Sequence, residues 1–338
     1  MPLKAWNNIL LSESTHQTKS NTKNMKHHSI PSRVTSIGAL FLFFVTIPLC
    51  AQGDKKQREK DAFAALKPES IVFKKVDGRN LKLVLFLPEK KPSGKMPIML
   101  YTHGGGWSGG SVQNIVKPAF KETLNELLDA GVACAAVAYR RTRGEITAVE
   151  SVTDCKDAAR FLVKNADKWN LDSKRLGVWG GSAGGHLCLM TALADNNLFL
   201  GSPELKSTTP NFSCIVSYYP LTSFTQMELL KGSKFEKAEI FVPILGGLAK
   251  DLPEAAKKLS PVEYIKADMP PVLLIHGEKD NVLPLNQSEH FLKKSKPVTQ
   301  NVTLLTVKGA GHSLGGKKIS PSMEKVNKQA AQFILKHL

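Results

Sequence analysis

Short apolar runs punctuated by Gly and Pro recur from residue 71 onward, with amphipathic stretches between them. Residues 71–76 (IVFKKV) and 81–87 (LKLVLFL) flank Asp77-Gly78-Arg79-Asn80, which predicts two strands and a tight turn. The next six runs, at 97–103, 132–139, 176–180, 214–219, 271–276 and 302–307, are rich in Val, Ile and Leu and do not alternate with polar residues. A strand covered on one face alternates and a strand buried on both does not, so these runs predict a mostly parallel sheet. Helices are predicted at 118–131, 149–169, 182–194, 284–296 and 321–338. Within 149–169, Val152, Cys155, Ala159, Leu162 and Val163 recur at three- and four-residue spacings, the buried stripe of an amphipathic helix. A hairpin followed by strand–helix alternation defines the α/β class: about eight strands in a twisted sheet with helices on both faces. Residues 222–262 interrupt the rhythm with a mixed stretch and predict a lid or cap insertion. No internal repeat is present.

Upstream of residue 70 the pattern changes. Residues 37–49 (IGALFLFFVTIPL) form an apolar run preceded by Lys26 and Arg33 and followed by Cys50-Ala51-Gln52, which predicts a cleaved signal peptide over residues 1–51. A membrane-spanning helix needs about 20 apolar residues, and here Pro48 and a polar run intervene. A retained anchor and a lipid on Cys50 are the alternatives, although Leu49 stands where lipid attachment wants a small residue. Residues 1–24 are polar and patternless, whereas the MKHHSIPSRV beginning at Met25 has the form of a charged signal start, so translation is expected from there. Residues 52–69 read as a polar linker and 70–338 as one catalytic domain.

At 338 residues, 42 % hydrophobic and 22 % charged, the chain can bury a large core, which excludes a disordered tail, a fibre or a disulfide miniprotein. Loss of residues 1–51 removes five basic side chains and one acid, taking the net charge from +17 to +13. Such a surface either attracts anionic partners or is simply solvated. No aromatic-interleaved basic stripe accompanies it, so nucleic acid is not an expected partner. Cys134, Cys155, Cys188 and Cys214 sit in apolar or helical stretches without a CxxC pair and read as core thiols, with one disulfide conceivable in an exported chain.

The pattern G-x-S-x-G occurs three times, around Ser108, Ser182 and Ser313. Nucleophilic chemistry needs the serine at a sharp strand-to-helix turn, where flanking glycines permit a strained backbone. Only Ser182 follows a predicted buried strand and opens a predicted helix. Ser108 enters a Gly-Gly-Ser loop, and Ser313 lies too late for an acid and then a base to follow. A serine hydroxyl reacts at neutral pH only when a base takes its proton and a carboxylate orients that base. His312 directly follows the run at 302–307 and Asp280 the run at 271–276, so both fall at the carboxyl edge of the sheet, where Ser182 also emerges. Glu278 is the second choice as orienter. Among other histidines, His103 reads as fixing the glycine loop, His186 and His276 as packing or bonding locally, and His290 and His337 as surface residues. Asp154 and Asp157 fall on a helix. His103-Gly104-Gly105-Gly106-Trp107 follows the run at 97–103 and lets backbone amides approach a developing oxyanion, with Gly105, Gly106 and Ala183 as expected donors and Gly104 as a substitute. A glycine turn without chemistry is the plain alternative. A phosphate loop is excluded because no helix opens directly after it.

Taken together, HGGGW, GGSAGGH, HGEKD and GAGH resemble the α/β-hydrolase superfamily. Residues 70–338 resemble its esterase/lipase branch with an HGGG-type motif, which includes bacterial acetyl-xylan and feruloyl esterase-like proteins. The resemblance implies the α/β-hydrolase fold, the order Ser182, Asp280, His312, and no metal or cofactor. One departure is that only about seventeen residues precede the first strand after Gly53, too few for the sizeable helical cap of hormone-sensitive-lipase relatives. Another is the basic Arg140-Arg141-Thr142-Arg143-Gly144 near the expected catalytic edge, either solvated or facing an anionic substrate. The expected function is a secreted serine esterase, EC 3.1.1, that removes short acyl groups, acetyl or feruloyl, from carbohydrate through an acyl-enzyme on Ser182, with a small-molecule or polysaccharide ester as substrate. The alternatives are a general short-chain carboxylesterase or lipase, a peptidase or formamidase, and a non-catalytic binding protein of the same fold.

Overall fold

The computed structural model describes residues 49–338; residues 1–48, which hold Met25 and nearly all of the expected leader, lie outside it. Helix α1 (Leu49–Ala65) precedes a hairpin of β1 (Glu69–Val76) and β2 (Arg79–Phe86). Then come β3 (Met96–Thr102), α2 (Lys121–Asp129), β4 (Ala133–Val137), α3 (Ala148–Lys164), β5 (Leu171–Gly181), α4 (Ala183–Leu193) and β6 (Phe212–Tyr218). After two short helices, α5 (Val242–Leu245) and α6 (Pro253–Lys258), the chain ends with β7 (Val272–Gly277), α7 (Asn286–Ser295), β8 (Val302–Val307) and α8 (Met323–His337). All eight expected strands and all five expected helices are present.

One eight-stranded sheet runs in the order β1-β2-β4-β3-β5-β6-β7-β8, parallel from β4 to β8, with β2 antiparallel to β4. The strands β3, β4 and β7 are buried at every position, as unbroken apolar runs require. The edge strand β8 is partly exposed in its middle, because no strand pairs with its outer side. One face is covered by α3, α4 and α7 and the other by α2 and α8. Helix α4 is apolar on all sides and buried at nearly every residue, as befits a helix in the middle of the domain. Its approach to the sheet needs Gly184, where a Cβ would stand 2.1 Å from the Thr102 carbonyl oxygen.

Two expectations change, and a third takes a definite form. Residues 52–69 are not a linker: most of them are helical, with Glu59, Ala62, Phe63 and Leu66 forming a half-buried stripe at helical spacing and the Phe63 ring set edge-on to Phe86 at 5.5 Å. Residues 222–262, the expected lid or cap insertion, form short helical turns packed into the core through Phe224, Leu230, Phe241 and Leu259. Arg140 of the basic segment is not solvated: its guanidinium bonds Asp154 at 2.9 Å and Asp77 at 3.1 Å, while Arg141 and Arg143 are exposed.

Helix α3 opens with a capping box, Thr147 with Glu150, worth about 1 kcal/mol. Its second face, polar in sequence, is also buried. Asp154 and Asp157 hold Lys74, each at 2.7 Å, and Asp157 also takes Arg160 at 2.8 Å. Lys156 reaches the C-terminal end of α4, bonding the carbonyls of Thr191 at 3.1 Å and Ala194 at 2.7 Å, a favourable place for a cation on the helix dipole. Burial, reinforced by Arg160, lowers its pKa to about 7. A base whose pKa falls on folding binds fewer protons folded than unfolded, so its contribution to stability grows as pH rises from about 7 toward the ordinary lysine value of ~10.4. The stability of wild type relative to Lys156→Met, measured by urea unfolding, is expected to increase across that window. A difference that does not change with pH would contradict this. All four core cysteines are buried and free, and burial pushes the Cys134, Cys188 and Cys214 thiols up.

Candidate active site

The end of β5 turns abruptly into α4 at Ser182, whose φ of 60° and ψ of −125° are strained for a residue with a Cβ. The Ser182 N–H donates to the Tyr218 carbonyl at 2.9 Å, and its own carbonyl accepts the first helical bond from His186 at 3.0 Å. The side chain is thereby held outside the helix, at the sheet's carboxyl edge. The next amide, that of Ala183, lies in the first turn, where N–H groups have no acceptor within the helix.

Across the cleft, His312 follows β8 and Asp280 follows β7. His312 Nε2 lies 3.0 Å from Ser182 Oγ, and His312 Nδ1 lies 2.8 Å from Asp280 Oδ2. Asp280 is 6 % exposed, and its other oxygen accepts the N–H groups of Val282 at 2.9 Å and Leu283 at 3.1 Å. Burial pushes this carboxyl up, but the imidazoles of His276 and His312 and the Val282 amide outweigh it and hold the pKa well below the usual carboxylate range. An ionised Asp280 fixes the proton of His312 on Nδ1 and leaves the Nε2 lone pair facing the serine. The Asp280 carboxylate therefore keeps its charge well into the acid range, below the ordinary carboxylate value of ~4. Glu278 instead points to the surface and accepts the Gly309 N–H at 2.9 Å, away from His312. Asp280→Asn is therefore expected to lower kcat by about 10⁴-fold by inverting the imidazole tautomer, while Glu278→Gln stays within about twofold. Steady-state kinetics on a chromogenic ester distinguishes them, and equal losses would reassign the orienting carboxylate.

The glycine loop lies against the serine turn: a Cβ on Gly104 would stand 2.5 Å from the Gly181 carbonyl oxygen and 3.3 Å from Ser182 Cβ. Gly105 adopts φ +132°, a conformation closed to other residues, and Gly106 and Trp107 are also at positive φ. The N–H groups of Gly104, Gly105 and Gly106 make no hydrogen bond to another backbone carbonyl among the described residues. Two histidines hold this loop. His186 is fully buried, accepts the Trp107 indole N–H at Nδ1 (3.1 Å) and meets the Leu259 carbonyl through Nε2 at 2.7 Å, linking the loop to the 222–262 segment. Burial lowers its pKa to about 4, so the neutral tautomer is present at neutral pH. His103 stacks on Tyr139 with ring centroids 4.2 Å apart, and its carbonyl accepts the Tyr139 hydroxyl at 2.7 Å. His276 is buried on Ser288 at 2.8 Å and the Leu283 carbonyl at 2.7 Å. Ser108 is exposed on a turn, and Ser313 stands beside His312 at positive φ.

Ser182 and His312 open on a cavity of about 350 Å³. Its inner end is aromatic and buried, made by Tyr101, Phe120 and Tyr219 at 0, 4 and 3 % exposure, and its rim carries Asn114 and Lys117. Tyr219 also sets its ring edge-on to His312 at 4.9 Å, and Phe235 of the 222–262 segment reaches the cavity wall. None of these wall residues was marked by sequence reasoning. Asn114, Lys117 and Phe120 do recur every third position, a spacing that puts them on one side of the turn between β3 and α2, but nothing in the sequence says which side faces the serine. No cluster of three or more potential metal ligands exists among the described residues.

The sheet order, the strained serine turn and the loops converging on it define an α/β-hydrolase fold. The chain belongs to the BD-FAE family, whose model matches residues 83–295. It is 26 % identical over 204 residues to the esterase LipQ of Mycobacterium tuberculosis, covering 60 % of this chain and 47 % of that protein. It is 25 % identical over 240 residues to the isoprenylcysteine alpha-carbonyl methylesterase ICME of Arabidopsis thaliana, covering 69 % and 53 %. The chain thus spans about half the length of these curated relatives. Among solved structures, the thermophilic esterase Est2 of Thermogutta terrifontis superposes with a TM-score of 0.66 at 25 % identity, covering 80 % of this chain and 92 % of that one.

Proposed function

We propose that this chain is a serine esterase, exported from the cell, that removes short acyl groups, acetyl or feruloyl, from carbohydrate through an acyl-enzyme on Ser182. The observation that carries the esterase reading is the hydrogen-bonded series Ser182–His312–Asp280, at 3.0 and 2.8 Å, on a serine placed at a strand-to-helix turn. His312 Nε2 takes the Ser182 proton as Oγ attacks the ester carbonyl, then returns it to the departing alcohol oxygen. A water repeats the cycle to release the acid. The amides of Gly105, Gly106 and Ala183 receive the oxyanion, with Gly104 close enough to the serine turn to substitute.

A closed aromatic inner end suits a short acyl group, since a long chain gains about 0.8 kcal/mol per CH₂ only where a tunnel buries it. The polar rim at Asn114 and Lys117 suits a hydrated sugar as leaving group. The apolar run at 37–49 supports export. A second reading is a general short-chain carboxylesterase, and it is favoured by relatives named as esterases with no carbohydrate in their names. On 4-nitrophenyl esters, kcat/KM is expected to peak between acetyl and butyryl and to fall for chains of eight carbons or more. Acetylated or feruloylated oligosaccharides are expected to exceed the matching simple esters, because sugar contacts add to transition-state binding. A preference for long chains with no acid released from any polysaccharide would replace the carbohydrate reading with the lipase one.

A further inference from the structure

Among the described residues that line the Ser182 cavity, Lys117 is the only lysine or arginine, and there is no acid. Lys117 is exposed and forms no ion pair with a described residue. Its backbone is fixed. The N–H donates to the Asn114 carbonyl at 3.1 Å, and the carbonyl accepts the N–H groups of Phe120 at 2.8 Å and Lys121 at 2.9 Å at the start of α2. From the same turn the Asn114 amide donates to the Gly104 carbonyl at 3.3 Å, and the Phe120 ring packs on the serine turn at Gly181. The root of the lysine is thereby held beside both the glycine loop and the serine. A second exposed cation without an ion pair, Arg141, lies by the same loop, where the N–H of the next residue, Thr142, donates to the Trp107 carbonyl at 3.1 Å. Burial above all, opposed by the Gly104 carbonyl and helped by the positive charges of Arg141 and Lys117, lowers the His103 pKa to about 4. The acids of the β7 loop are occupied elsewhere, Asp280 by His312, Val282 and Leu283, and Glu278 by Gly309. No lining side chain therefore offsets the charge of Lys117 at the cavity mouth.

We infer that Lys117 is a specificity-determining residue whose ammonium binds a carboxylate carried by the sugar, making the preferred substrates acyl esters of sugar acids rather than of neutral sugars. This rests on the carbohydrate-ester reading and names the substrate class for the alcohol half. The short acyl group is unaffected, since Lys117 stands on the open rim and the acyl group goes to the closed aromatic end. A sugar whose ester carbonyl sits at Ser182 extends toward that rim, and a cavity of about 350 Å³ is small enough for one ring to span. An exposed ammonium–carboxylate pair is worth up to about fivefold in binding. The contact is remote from the reacting atoms and is made equally in the ground and transition states, so the gain falls on KM. A positive mouth also attracts anions before they bind, an effect that salt screens.

The test compares two mono-O-acetylated methyl glycosides at neutral pH that differ in one group, a uronate and its uncharged primary amide, with 4-nitrophenyl acetate alongside. Wild type is expected to favour the uronate about fivefold in kcat/KM beyond the ratio of their alkaline hydrolysis rates, through a lower KM. That preference should vanish in about 1 M NaCl, where charges are screened beyond about 3 Å. Lys117→Gln is expected to bring the ratio to within about twofold of the alkaline one, and Lys117→Arg to keep it. Lys121→Gln removes the same charge from a side chain that lines a groove between α1 and α8, and should also keep the preference. A wild-type ratio equal to the alkaline one overturns the inference without any variant. So does a preference that survives in Lys117→Gln, or one that falls equally in Lys121→Gln and thus belongs to net charge. Hydrolysis of 4-nitrophenyl acetate with no acetate released from either glycoside overturns the carbohydrate reading and the inference with it, whereas no hydrolysis of any of the three overturns the esterase reading itself.

Discussion

Ser182→Ala is expected to lower ester hydrolysis by at least a thousandfold, because the nucleophile acts as one unit with its base. The fold should persist, because the backbone bonds to Tyr218 and His186 that shape the turn do not involve the hydroxyl. Alanine also inherits the same strained φ, so stability is expected to change little. Ser108→Ala and Ser313→Ala are the informative controls, as both lie in G-x-S-x-G strings. Ser108 is exposed on a turn, and Ser313 has His312 beside it but no base aligned on its hydroxyl. Both variants should keep activity within a few-fold. A fluorophosphonate label that attaches to Ser182 in wild type and is lost in Ser182→Ala gives the same answer without a substrate. Equal loss in Ser108→Ala would mean that the strand-to-helix context chose the wrong serine.

Asp157→Ala should be the most damaging change to stability away from the cleft. The Asp157 carboxylate is fully buried and holds Lys74 at 2.7 Å, Arg160 at 2.8 Å and the Ser202 N–H at 2.9 Å. Its removal strands two buried cations, with Asp154 left to serve Lys74 and Arg140 alone. Breaking a buried pair from one side costs about 3–5 kcal/mol because the remaining charge stays desolvated. The loss should appear in urea unfolding, and Lys74→Met combined with Asp157→Leu should recover part of it, since removing both charges also removes the desolvation penalty. A single-variant loss below about 1 kcal/mol would show that water reaches the cluster.

The six strands from β3 to β8 were legible because a strand inside a parallel sheet must be apolar on both faces, and that demand leaves a run that polar alternation cannot imitate; the β1–β2 hairpin was legible from its turn at Asp77-Gly78. The serine, aspartate and histidine were legible for a topological reason: every loop that leaves a parallel strand at its carboxyl end falls on one edge, so residues 182, 280 and 312 had to share that edge. Helix α1 was hidden because its half-buried stripe of Glu59, Ala62, Phe63 and Leu66 is diluted by Lys, Arg and Gln, and its docking depends on Phe86 in another element.

By itself, then, the sequence determined the class, the order of the elements, the turn that carries Ser182 and the side chains aligned with it, because each of these follows from local period or from the direction of the strands. The tertiary structure alone decided which polar residues are inside. Lys74 and Asp154 are separated by 80 positions and neutralise each other only once β1 and α3 are packed together, so no local pattern marks either as buried. The same holds for the cavity: Tyr101, Phe120 and Tyr219 come from three separate segments and meet only in the folded chain, where the bare Gly181 lets Phe120 and Tyr219 close against the serine turn. Periodicity reports how a segment meets its own neighbours, whereas burial of charge and the shape of a pocket are set by contacts between segments far apart in the chain.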